Sequence, residues 1–463
     1  MMNNPISELL DYLNEHAAAA ADRQAGFMAA YFESTEPQEI SARGAAMLYA
    51  IANAHWRLLD TPRAPHSAGV RVFNPTLAED GFVSEHTVVQ IVHEDMPFLV
   101  DSVTMAINRS NCTAHWIVHP LMRVGRDAQG HIASASSAAS ADNKEPVESL
   151  ILVECDRIVA AAQRQALADE LSRVLSDVRA AVQDWSAMSA RVQSAISAAT
   201  TDSRFSPQDL QEGVDFLHWL KERHFTFLGA REYDLQRDGA QISLIARPDS
   251  GLGILRGAVQ TSETRLPPEA VALMESKELV LVTKAMTRAT VHRPAWLDYI
   301  GVKRFDASGQ VVGEVRFLGL YTSTAYSAPV SEIPRVRQRT AQVMASAGVV
   351  PESHAAKALQ AILDAYPRDE LFQIDATTLG EHAIGILRLQ ERQRTRVFLR
   401  RDPFGRFISA QVFVPRERFN TELRVRIGNE LMAALDGQSI EFTPTLTDSP
   451  QARIHYLVRA RTR

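Results

Sequence analysis

The glycines of GLGILRG, Gly251 to Gly257, are this chain's nearest approach to a phosphate-cradling loop. A dinucleotide fingerprint sets glycines as G-x-G-x-x-G where a strand opens into a helix. Here the third glycine falls one position late and no βαβ unit surrounds it, so a turn in a β-rich module is expected. His115 and His119 have the look of a metal pair. On a strand, four residues span about 13 Å, whereas zinc holds imidazole nitrogens at about 2 Å, so ordinary strand histidines are expected. Cys112 and Cys155 have no histidine placed in sequence to activate them and read as inert thiols. No P-loop and no G-x-S-x-G elbow is present. Arg392, Arg394, Arg396, Arg400 and Arg401 form a basic cluster, the first three on one face if a strand begins that early. A solvated face is the favoured reading, and an anion or acidic surface the other. Only Phe398 interleaves the cluster as a stacking aromatic, which argues against nucleic acid. No catalytic residue, cofactor contact or metal ligand is assigned.

HEDMPFLVDSVTMAI, His93 to Ile107, points elsewhere. A β-strand hands over to a helix there, with Pro97 expected in the first helical turn. Free backbone amides and the helix dipole at such a junction suit a carboxylate. The pattern resembles the strand–loop–helix of ACT domains, where an acidic residue, a proline and a glycine precede the first helix. Asp95 and Pro97 match, and Phe98 stands where the glycine usually is. The candidate effector-binding residues are Asp95, Met96, Pro97, Phe98 and Asp101. The plainer reading is a capped helix packed on a sheet, with Phe98 filling the pocket.

Positioning these residues requires several modules. Residues 1–65 read as helices, with Ala45, Leu48, Ala52 and Leu59 at helical spacing. Residues 66–200 read as a first ACT-like domain of order β–α–β–β–α. Its strands are His86–His93, Cys112–Val124 and Glu148–Cys155. Its second helix is striped by Leu167, Leu171, Val174, Val178 and Val182. No final strand follows that helix, and Val70 to Phe73, lying upstream, is expected to fill the edge by permutation. Ile132–Pro146, rich in Ser and Ala, reads as a mobile loop. Residues 201–330 read as a mostly antiparallel, PAS-like module with a five-stranded sheet, RATVHRP among its strands. Residues 331–370 read as a helical linker, with Pro351 opening its second helix. Residues 371–463 read as a second ACT-like domain, its last helix starting at an Asn420 cap and stopping at Gly437. The fold class is α+β: two ferredoxin-like sandwiches flanking a β-rich module.

Composition sets outer limits. The 463 residues are 46% hydrophobic and 22% charged, ordinary for a globular protein. The net charge of −6 gives no basic footprint for nucleic acid and no hint of an anionic membrane partner. No apolar run is long enough to span a bilayer, and MMNNPISELLDYLNEH is not a secretory signal. Two cysteines in so long a chain fit a reducing cytoplasm.

Six stretches, taken in order, resemble one family, the large NAD-specific glutamate dehydrogenases of bacteria. They are VVQIVHEDMPFLVDSV, FLHWLKERHFTFLGAREY, GLGILRG, FLGLYTSTAYSAPVSEIPRVR, YPRDELFQID and RRDPFGRFISAQVFVPRERFNTELR. The resemblance implies ACT-like and PAS-like modules ahead of a dehydrogenase core that uses NAD to oxidise L-glutamate to 2-oxoglutarate and ammonium. Nothing here resembles that core, so this segment is expected to be non-catalytic and to bind no cofactor itself. Expected partners are a second copy through ACT-like domains, the downstream core of the same polypeptide and an amino-acid effector. The competing expectation is a stand-alone interaction protein.

Overall fold

The computed structural model describes residues 5–16, 21–64, 66–139, 144–199, 205–239, 241–257, 263–276, 278–389, 392, 394–447 and 449–460. The chain divides into two compact units, Met1–Gln183 with Ala289–Pro294, and Asp184–Arg288 with Ala295–Arg463.

The first unit opens with helices α1 (Pro5–His16), α2 (Ala21–Tyr31), α3 (Pro37–Ser41) and α4 (Ala45–Leu59). Then come β1 (Gly69–Phe73), α5 (Leu77–Asp80), β2 (Thr87–Glu94), α6 (Leu99–Arg109), β3 (Ala114–Val118) and β4 (Leu121–Arg126). β5 (Ile132–Ser137), β6 (Val147–Cys155) and α7 (Ala161–Gln183) complete it. The sheet order is β1-β2-β6-β4-β5, with β3 also on β6. β1 lies antiparallel to β2, from Gly69 opposite Val92 to Phe73 opposite Val88, so the upstream strand fills the edge as the permutation reading expects.

Two local expectations change. Cys112–Val124 is two strands laid end to end along β6, broken at His119 and Pro120, because proline has no amide to donate to a ladder. The Ser/Ala-rich stretch begins as strand β5 rather than a loop, paired with β4; its residues 140–143 lie outside the described residues. Small side chains let α2 approach β5 closely: a Cβ on Gly26 would sit 3.0 Å from the Ala135 carbonyl oxygen. One sheet face buries Val88, Val92, Leu150 and Leu152 against Leu9, Leu13, Phe27 and Ile51 of the opening helices. α6 and α7 pack together in the same unit, α7 also against β1. β2 is buried along nearly its whole length, which suits the β-branched and apolar residues of HTVVQIVH.

The second unit begins with α8 (Trp185–Ala199) and α9 (Pro207–Trp219). A sheet follows, built from β7 (Phe225–Asp238), β8 (Gln241–Ala246), β9 (Leu252–Gly253), β10 (Glu263–Arg265), β11 (Val280–Arg288), β12 (Trp296–Phe305) and β13 (Val311–Tyr321), with α10 (Pro268–Glu275) between β10 and β11. Among the described residues it has seven strands rather than five, in the order β10-β8-β7-β13-β12-β11, with β9 on β7. RATVHRP does not form its own strand: β11 ends at Arg288, and Ala289–Pro294 leaves the ladder and belongs to the first unit. His292 at φ 78° and a proline suit no ladder position. Helices α11 (Ser323–Ser327), α12 (Val336–Ser346), α13 (His354–Asp364), α14 (Arg368–Leu371) and α15 (Ala376–Leu389) come next. Ser353, not Pro351, caps α13, its hydroxyl accepting from the Ala356 amide.

The second sandwich comprises β14 (Arg396–Arg401), β15 (Phe407–Pro415), α16 (Thr421–Ala434), β16 (Gly437–Thr445) and β17 (Gln451–Ala460), ordered β14-β15-β17-β16. Its order matches the first four positions of the first sheet, which adds β5 beyond them, and again the upstream strand is at the edge. Asn420 caps α16 through its Oδ1 and the Leu423 amide, at 2.8 Å. The helix ends before Gly437, which instead starts β16. α16 lays Leu423, Ile427 and Leu431 on Val412, Ile454 and Tyr456. Ile386 and Leu389 of α15 pack with Phe398 and Phe413.

Candidate effector site

β2 delivers the chain to Asp95, whose amide donates to the Val147 carbonyl at 3.0 Å. Two residues later the backbone turns. Phe98 sits at φ 75° and ψ 2°, left-handed, and α6 starts behind it with Ser102 N donating to Phe98 O. Pro97 therefore lies in the turn before the helix, not in its first turn. The geometry explains why glycine is usual there. A β-carbon disfavours this conformation, and Phe98 adopts it nonetheless.

Among the described residues no side chain caps α6. Ala289–Pro294 lies against this end instead. The Phe98 ring packs on His292, with centroids 5.0 Å apart. The His292 amide donates to Ser102 Oγ at 3.0 Å, and His292 Nδ1 is 3.9 Å from Asp101 Oδ2. Arg109 donates to the Ala289 carbonyl, and Thr290 Oγ1 to Asp177 on α7 at 2.7 Å. Burial, reinforced by Arg293, lowers the His292 pKa against the opposing pull of Asp101, favouring a neutral ring. Asp95, Pro97 and Asp101 are exposed, and Met96 and Phe98 half-buried. The turn thus brings Phe98 and Asp101 together with His292, a residue that nothing in the local sequence links to the motif. The Phe98 ring and His292 both lie at the start of α6.

The remaining residues singled out by type find other surroundings. Leu252–Gly253 pairs antiparallel with β7 and the chain turns directly after it at Ile254–Leu255. A β-carbon at Gly253, which has φ 59°, would meet the Leu228 carbonyl oxygen at 2.1 Å. That stretch does not fit NAD, which needs a strand-to-helix crossover. His115 faces Asp156 at 2.7 Å and His119 faces Ser149 Oγ at 2.7 Å. Among the described residues no group of three or more His, Cys, Asp or Glu is placed to hold a metal. Burial pushes the Cys155 thiol up to about 12, and Cys112 is raised as well. The basic cluster is split. β14 begins only at Arg396, so Arg392 and Arg394 lie off the strand, and Arg400 turns inward onto Glu370 at 2.7 Å. No helix among the described residues is long and apolar enough to cross a membrane.

Two antiparallel sandwiches, each with an upstream edge strand and a strand–loop–helix junction, mark this as a protein built on ACT modules. The sequence model for the ACT1 domain of glutamate dehydrogenase matches residues 27–171, that for its ACT2 domain 396–463, and that for its helical motif 1 333–392. The chain belongs to the large NAD-specific glutamate dehydrogenase family. The NAD-specific glutamate dehydrogenase of Halomonas elongata is 37% identical over 98% of this chain and 29% of that protein. That of Pseudomonas aeruginosa is 34% identical over 94% of this chain and 27% of its own length. That of Mycobacterium tuberculosis is 29% identical over 92% and 25%. The chain therefore spans between a quarter and three tenths of these relatives.

Proposed function

We propose that this chain is the non-catalytic N-terminal regulatory and assembly region of an NAD-specific glutamate dehydrogenase, joining subunits through its second sandwich. The parent reaction would be the NAD-dependent oxidation of L-glutamate to 2-oxoglutarate and ammonium. The observation that carries the assembly role is an apolar face left partly open. Val397 and Leu399 pair with Val412 and Ala410 and so lie on the α16 side of the sheet, yet they are 43% and 47% exposed. Phe442, at the opposite edge of that face, is 45% exposed. α16 covers the middle of the face and leaves both edges, whereas the first sandwich has α7 beside α6 and against β1. A second copy of the same module would cover these side chains.

The order β8-β7-β13-β12-β11, second-first-fifth-fourth-third along the chain, supports a PAS-like reading of the middle sheet. The Asp95–Asp101 turn remains the candidate effector contact of the first sandwich, in a form that Phe98 and His292 close. Incubating the purified chain with L-glutamate and NAD tests the non-catalytic role. No glutamate-dependent NADH is expected, and steady NADH formation at enzyme-like rates would overturn the reading.

A further inference from the structure

Within the second unit, α10, β11, the start of α12 and the end of β14 line a half-open cleft of about 500 Å³. That is the size of many small-metabolite sites. Val282 and Phe372, which share one apolar cluster, give it an apolar wall, and Arg335 and Arg339 line it one helical turn apart. Both guanidiniums are nearly buried. Arg335 donates to Glu278 Oε2 at 2.6 Å. Among the described residues Arg339 donates to the Leu371 and Phe372 carbonyls, at 3.3 and 3.4 Å. Its nearest carboxylate oxygen among the described residues is the same Glu278 Oε2, 3.7 Å away.

Behind them Lys303 is buried, its ammonium donating to the Leu273 and Ser276 carbonyls at 2.7 Å. Glu278, half-exposed, is thus the carboxylate shared by the two arginines, and it draws on Lys303 as well. Burial, with Arg335 alongside, lowers Arg339 to about 10, and burial lowers Lys303 to about 7. Buried cations short of anionic partners are costly unless something else meets them. The backbone adds a separate sign. Arg335 sits at φ 65° and ψ −39°, a conformation strained for a long side chain, and such strain concentrates where ligands are held.

We propose that this cavity binds a small carboxylate metabolite, its carboxylate forked on Arg339 and its carbon chain against Val282 and Phe372. A guanidinium fork matches a carboxylate in plane and spacing. Glu278 and Asp375, also in the lining, disfavour phosphate, which concentrates two charges on one group, more than a dicarboxylate that spreads them along its chain, and would receive an ammonium group if the ligand is an amino acid. The site deepens the regulatory reading and rests on it only for the consequence of binding, because occupancy is a property of the chain itself.

Calorimetric titration of the full chain with L-glutamate, 2-oxoglutarate and inorganic phosphate tests the site. The first two share carboxylates and differ in the ammonium. The expected result is binding of at least one of them at millimolar concentration or tighter, with phosphate at least about tenfold weaker. Arg339→Lys, which keeps the charge and removes the fork, should weaken that binding about tenfold or more. Ala272→Trp, placed on an exposed lining position of α10, should block it without removing a charge. The proposal is overturned by no binding of either carboxylate up to about 20 mM, by equal binding of phosphate, or by binding that survives Ala272→Trp. Neither variant touches β14 or α16, so failure here leaves self-association of the chain standing.

Discussion

Phe98 is the residue on which the effector reading turns. Its left-handed backbone costs about 1–2 kcal/mol for a residue with a β-carbon, and its ring recovers a comparable amount against His292. Two substitutions separate these terms. Phe98→Ala loses the ring and keeps the strain, whereas Phe98→Gly loses both. Denaturant unfolding should find the glycine variant about 1 kcal/mol or more above the alanine variant; equal stabilities would mean the turn is not strained. The sequence showed that a large residue stood at a glycine position. It did not show His292, because that partner lies 190 positions from Ser102 along the chain.

His55 makes a second residue-scale prediction. It is fully buried, with Nε2 donating to the Ile91 carbonyl and Nδ1 accepting from Tyr31. Burial lowers its pKa to about 3. A base with a depressed folded pKa binds fewer protons folded than unfolded, so stability rises with pH between the two values. Its contribution is complete above about pH 6.5 and fades as pH falls toward 3, by an amount on the order of a few kcal/mol. Melting temperatures between pH 7 and pH 4 should fall less steeply in His55→Gln than in the parent chain. Parallel profiles would place the acid sensitivity elsewhere.

At the scale of elements, periodicity located most helices and strands because their burial is one-sided or complete, as in α4, β2 and α16. It failed where a partner decided the outcome. β5 is a strand because β4 and α2 receive it, not because Ser and Ala favour strands. Ala289–Pro294 leaves its sheet although Ala-Thr-Val reads as strand. GLGILRG was legible as a turn from its spacing, and its tightness is testable. Gly253→Ala would force a β-carbon into the Leu228 carbonyl and a positive φ, so a loss of about 2 kcal/mol or more is expected in denaturant unfolding. A loss under about 0.5 kcal/mol would contradict the close approach.

For the molecule as a whole, the two sandwiches share a permuted order over four strand positions although their sequences show no repeat. Strand order depends on which faces are apolar, and many sequences satisfy it. The cavity beside Arg339 was not legible. Its lining comes from residues 269 to 403, and although several of them fall in the family-like stretches, only Arg400 and Arg401 stand out in the sequence by side-chain type, for charge alone. Self-association through the second sandwich is the central claim, and sedimentation velocity of the purified chain over a hundredfold concentration range tests it most directly. A concentration-dependent dimer or higher species is predicted, shifted to monomer by Leu399→Asp with the fold retained. A chain that stays monomeric throughout, or one whose assembly ignores Leu399→Asp, would contradict the account.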